Sequence, residues 1–188
     1  MPYRRNHLAV RIAVVLAVTA PLFYFSRSPG EGGPLNLGTY TSTVSIEVDV
    51  GGTLTYGNAI IANDGNADIV IDEAELLTHD DGATVIEARV LAVNAVPNGS
   101  LIGEAFGPNF PDPAMPIPGA TVEPSQGDPL NSYQLQFYII VERPTLFEGI
   151  RVRYRVGDRT YVETASYRLK ICTPRGPRCP LPPRITPQ

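Results

Sequence analysis

The sequence predicts an all-β protein, an antiparallel sandwich of about seven or eight strands preceded by one N-terminal transmembrane helix. Three observations carry that expectation. Residues 43–50 and 150–156 alternate polar and apolar side chains without a fault, as half-buried strands do. Clusters of Gly, Asn, Asp and Pro recur between apolar segments, with no long amphipathic helical pattern among them. Arg4 and Arg5 precede an apolar run over residues 8–25, the layout of a signal or signal-anchor whose N-terminus stays in the cytoplasm.

Composition sets the outer bounds. Of 188 residues, 43% are hydrophobic and 18% charged, which excludes a disordered, charge-driven chain. The net charge is −4 with no long block of one sign, and no nucleic-acid partner is expected. The 19 prolines and 17 glycines fall in clusters, as turns between strands do. Four regions follow: a cytoplasmic tip and anchor (1–27), a Gly/Pro-rich spacer (28–38), an extracytoplasmic domain (39–172) and a Pro-rich tail (173–188). The domain has roughly 135 residues, enough for one core.

The anchor spans about 27 Å as a helix, sufficient for a thin hydrocarbon core. Arg11 interrupts the run, but its stem can reach the inner headgroups. Val18-Thr19-Ala20 offers small residues for a signal peptidase, yet Pro21 follows directly and disfavours cleavage. A retained anchor is therefore the expectation, with a cleaved signal and a fortuitous buried segment as alternatives. The localisation implied is a single-pass cell membrane protein with its C-terminal domain outside.

In order along the domain, strands are expected at 43–50, 53–62 and 69–77, with turns at Gly51-Gly52 and at Asn63-Asp64-Gly65-Asn66. The second turn has the composition of a hairpin, Asp-Gly supplying a positive-φ residue. Residues 79–82 turn again. Residues 84–96 admit a helix in part, but their β-branched side chains favour a strand. From 97 to 129 the prolines leave a long loop with one short strand near 100–105, and such loops often form working surfaces. Strands return at 133–142, 150–156 and 160–171, the last two joined by Gly157-Asp158-Arg159.

Asn63-Asp64-Gly65-Asn66 leading into Ile69 and Ile71, and Phe147-Glu148-Gly149-Ile150-Arg151-Val152-Arg153-Tyr154 leading into the last hairpin, give most of residues 40–172 a pattern that resembles the immunoglobulin-like modules of bacterial cell surfaces. The resemblance implies the sandwich fold and no activity. The Trp and inter-sheet Cys pair of antibody domains are missing, since the chain has no Trp.

Cys172 and Cys179 are the only cysteines, and the Pro- and Gly-rich turn between them suits a disulfide in an exported chain. So short a loop would add about 2 kcal/mol and mainly fix the domain's exit. A metal pair lacks further ligands, and the spacing is wrong for a thioredoxin-like redox pair.

Three candidate sites remain. Asp64, Asn66, Asp68, Asp72 and Glu75 have the spacing of a calcium loop, but Ile69 occupies the position that needs glycine, and strands flank it. A solvated turn and strand is the favoured reading. Catalysis has only His79 as a base outside the anchor, with no nucleophile motif, and Glu73, Glu75, Glu104 and Glu123 select no acid pair. No enzyme and no cofactor are expected. Arg151, Arg153 and Arg155 line one strand face, with Arg159 and Arg168 nearby. Such a stripe suits an acidic envelope polymer or another envelope protein, or it is simply a solvated face. The expected role is a membrane-tethered binding or structural module, with a calcium-responsive module as alternative and an envelope hydrolase as a distant third.

Overall fold

Each alternating segment becomes a strand, and the apolar sides of these strands meet in one core. The computed structural model describes residues 30–38, 43–95, 104–108 and 110–173. The expected anchor, the tail and Cys179 lie outside the described residues. Among the described residues, no helix is long and apolar enough to cross a membrane. Helical structure there amounts to two short 3-10 turns, Val93–Ala95 and Pro129–Asn131.

The strands are β1 (Gly30–Glu31), β2 (Leu35–Asn36), β3 (Thr43–Glu47), β4 (Thr53–Asn63), β5 (Ile69–Thr78), β6 (Ala83–Ala92), β7 (Glu104–Phe106), β8 (Met115–Pro116), β9 (Ala120–Val122), β10 (Tyr133–Val141), β11 (Thr145–Val156) and β12 (Arg159–Cys172). One six-stranded sheet runs β1-β12-β11-β5-β9, with β3 also on β12. The other runs β2-β4-β10-β6-β8, with β7 also on β4. The eight expected strands are all present. Four more bring the count to twelve among the described residues.

Those four short strands correct two expectations. The stretch read as a wet spacer forms β1 and β2 and places Leu35 and Leu37 in the core. The stretch read as a loop after residue 97 contains β8 and β9, which extend β6 and β5. These four hold two or three residues each, too few for a period to show, and pairing with a longer neighbour creates them.

Pairing direction is a further correction. Both β1 and β3 run parallel to β12, so the first sheet is mixed rather than wholly antiparallel. The turn at 63–66 is no hairpin either, because β4 and β5 belong to different sheets. Gly65 is needed there for space and not for positive φ: a Cβ would stand 2.8 Å from the Pro34 Cβ. Asn63 ties that corner, its buried amide donating to the Ala67 and Val122 carbonyls at 2.8 and 3.0 Å. Gly157-Asp158 does form the expected hairpin, with Gly157 at φ 56°.

The core interdigitates the inner faces: Ile69, Ile71, Ile150, Val152, Leu169 and Ile171 from the first sheet, against Leu54, Ile61, Leu135, Phe137 and Ile139 from the second. Each is at most 1% exposed. Burial of this kind stabilises by about 1.5–3 kcal/mol per large side chain before entropy is counted.

Candidate binding surface

The three arginines of β11 share the solvent face of the first sheet, as alternation requires, and the structure supplies what the sequence left out. Each faces a carboxylate on β5. Arg151 lies directly opposite Glu75 and is ion-paired to it; Arg153 lies opposite Glu73, with Nη2 3.1 Å from Oε2. Arg155 Nε donates to both Asp72 oxygens at 3.0 Å.

A β-bulge makes the third rung. Across Arg153 and Tyr154 the register moves from Glu73 to Ile71, so Asp72 is the extra residue on β5. Strict alternation from the buried Ile71 would have turned Glu73 into the core; the bulge keeps both Asp72 and Glu73 on the water side. The result is a two-row ladder, acidic on β5 and basic on β11. The arginines stay half-exposed, and a shallow hollow of about 250 Å³ lies among Glu73, Glu75, Arg151, Arg153 and Val162. The expected basic stripe is therefore neutralised rung by rung. Arg159 starts β12 at the hairpin, and Arg168 sits opposite Thr43, away from the ladder.

The calcium spacing is stretched along a strand rather than wrapped into a loop. Ile69 is buried in β5, Asp72 and Glu75 are committed to the ladder, and Asp64 accepts a hydrogen bond from Asn36 at 3.0 Å. Among the described residues, no group of three or more His, Cys, Asp or Glu side chains could hold a metal ion. His79 stands 90% exposed, with Nε2 3.1 Å from Glu148. Glu73 and Glu75 sit on the ladder; Glu123 is exposed just beyond β9, and Glu104 lies on β7. Cys172 is buried at the end of β12.

Next to the hairpin that closes the first sheet, an inward polar node had no signal in the sequence beyond a glutamate at a core-facing position. Glu163 lies opposite Val152, on the inner side of β12. Its Oε1 accepts from the Gly33 amide at 2.7 Å, while the Tyr154 hydroxyl accepts from the Leu35 amide at 3.2 Å. Burial, reinforced by the Glu163 charge, pushes the Tyr154 pKa up to about 12. The Tyr154 and Tyr161 rings stack at 5.4 Å. Gly33 must be glycine, because a Cβ there would collide with the Tyr154 hydroxyl. This node fastens residues 33–37 to the sandwich beside a hollow of about 360 Å³.

At the β5–β6 corner, Asp80 accepts from the Gly82 amide at 3.0 Å and from the Thr145 hydroxyl. Partial burial would raise its pKa, but these bonds, another from the Leu146 amide and the Arg143 charge outweigh it and hold the carboxyl below its ordinary value.

No protein-family model matches the chain, and no curated protein matches it. Among solved structures it is similar to the secreted serine protease VesC from Vibrio cholerae, at 11% identity and a TM-score of 0.30. That match covers 84% of this chain and 26% of the protease, so the chain spans about a quarter of that structure's length. A likeness at this level carries no argument about fold or activity.

Proposed function

We propose that the chain is a membrane-anchored, extracytoplasmic, immunoglobulin-like β-sandwich that serves as a binding or structural module of the bacterial cell envelope and not as an enzyme. The observation that carries the fold reading is strand order. With β2, β4, β10 and β6 in one sheet and β5, β11 and β12 in the other, the connectivity corresponds to the constant-type immunoglobulin arrangement. In this reading β3 is the first strand's continuation onto the opposite sheet, and β7–β9 are an insertion before β10.

The compartment rests on the apolar run at 8–25 behind Arg4 and Arg5, together with an even pair of cysteines, Cys172 and Cys179, whose spacing suits a disulfide at the exit of β12. Because its arginines are already paired, the ladder face suits another protein with matching charges better than a uniformly acidic polymer.

Intact mass of the chain recovered from native membranes, before and after reduction, tests the reading. A full-length mass rising by about 2 Da on reduction is expected. A truncated mass would make the protein secreted, and a full-length mass without the rise would overturn the oxidised exit loop.

A further inference from the structure

We propose that the β5–β11 ladder face is a self-recognition surface, whose partner is a second copy of this chain related by a two-fold axis running along the strands. The acidic row of Asp72, Glu73 and Glu75 and the basic row of Arg151, Arg153 and Arg155 lie side by side on adjacent strands. Rotation by 180° about an axis between the two rows and parallel to them exchanges left for right and preserves height. A second copy placed face to face by that rotation sets its basic row over the first copy's acidic row, at matching levels. A two-fold axis perpendicular to the strands would instead set acid on acid. The charge pattern selects one symmetric dimer.

The rungs have capacity for this. A guanidinium carries five N–H donors, and each arginine uses one nitrogen on its carboxylate within the chain. The arginines are 50–51% exposed, which leaves their side chains accessible to a partner. Three positive and three negative side chains cancel, so two such faces meet without the net repulsion expected of a −4 chain. The packing is the aligned, face-to-face mode that twisted sheets adopt. Val70 and Val162, half-buried and in register with Arg155 and Arg153, supply an apolar contribution between the charges. The proposal goes beyond the envelope-module reading and does not depend on where the chain resides.

The test pairs the full-length wild-type chain with a rung-swapped double variant, Glu73→Arg with Arg153→Glu, followed by density-matched sedimentation and energy transfer between labelled chains. The swap preserves the pair within one chain. Each protein should self-associate, and the association should weaken as salt rises. In a mixture, a wild-type and a swapped chain would place Glu over Glu and Arg over Arg at that level. Homodimers should then exceed the statistical ratio by about tenfold or more. A wild-type chain that stays monomeric, a dimer indifferent to salt, or statistical mixing of the two proteins would each overturn the proposal. The salt series uses the wild-type chain alone and stands even where the double variant does not fold.

Discussion

The outer faces of the two sheets are built from the same kind of strand and end in opposite conditions. On the first sheet, the outward residues of β5 and β11 meet water and pair by charge. On the second, the outward residues of β10 are sealed. Gln134 and Gln136 are 1% and 0% exposed, although both sit at polar positions of an alternating strand. The chain between β6 and β10 provides the cover. Phe110 lies on the Arg89 guanidinium at 4.5 Å and meets Tyr138 edge-on, while Gly107 accepts from the Thr55 hydroxyl at 2.6 Å. The lesson is that polar residues on a strand mark the side away from the core, not the side that meets solvent. Where they are covered, their amides bond within the protein: Gln136 donates to Gln134 at 2.9 Å, and Gln134 donates to the Gly57 carbonyl.

That contrast can be broken by matched substitutions. Gln134→Ala should cost about 2–4 kcal/mol in urea unfolding, because it opens a cavity and leaves the buried Gln136 amide and Gly57 carbonyl without their partner. A cost below about 1 kcal/mol would mean that the second sheet's outer face is as open as the first. Tyr154→Phe sharpens a different boundary, between core and edge. The wild-type tyrosine stays protonated in the fold up to about pH 12, against an ordinary value of 10. Its contribution is therefore complete below pH ~10 and is lost as pH rises toward ~12, a fall of about 2–3 kcal/mol. The Phe variant should show a smaller alkaline loss, read as melting temperatures that fall less over the same window.

Phe110→Ala should loosen the cover by about 1–2 kcal/mol and speed proteolysis within residues 104–116, leaving the ladder face unchanged. Arg153→Ala, the open-face counterpart of Gln134→Ala, should cost no more than about 1 kcal/mol, less in high salt. The smallest effect is at the β5–β6 corner. The Asp80 carboxyl is held below its ordinary value, so its support is complete above pH ~4 and is lost as acid protonates it. Asp80→Asn should remove up to about 0.5 kcal/mol of that acid sensitivity, seen in parallel melts at low and neutral pH.

Legibility in the sequence followed the length of each element. Strands with four or more alternating positions announced themselves, from Val44-Ser45-Ile46-Glu47 to Arg151-Val152-Arg153-Tyr154. Strands β1, β2, β8 and β9 did not, since two or three residues hold no period; β7, equally short, was the exception. Half of the ladder was legible as well, because Arg151, Arg153 and Arg155 share one strand. The acidic half was scattered among other readings: Asp72 and Glu75 counted toward calcium, Glu73 toward an acid pair. Only the β5–β11 register, with its bulge at Asp72, joins the two rows.

Two long edge strands show the same division. β12 is flanked at its two ends by β1 and β3, and β4 by β2 and β7: the chain crosses between sheets before β3 to reach β12, and stays in the second sheet after β6 to reach β4. Local patterning determined that this chain would form β-strands, where most of them lie, and which side of each faces the core, because apolar alternation is a property of consecutive residues. The tertiary structure alone decided that the turn at 63–66 joins two sheets, that β1 and β3 run parallel to β12, that Gln134 and Gln136 are covered, and that three arginines are paired. Those outcomes depend on contacts between residues far apart in the chain, such as Gly33 with Glu163, 130 positions away, and Arg155 with Asp72, 83 positions away, and no local period encodes a distance of that kind.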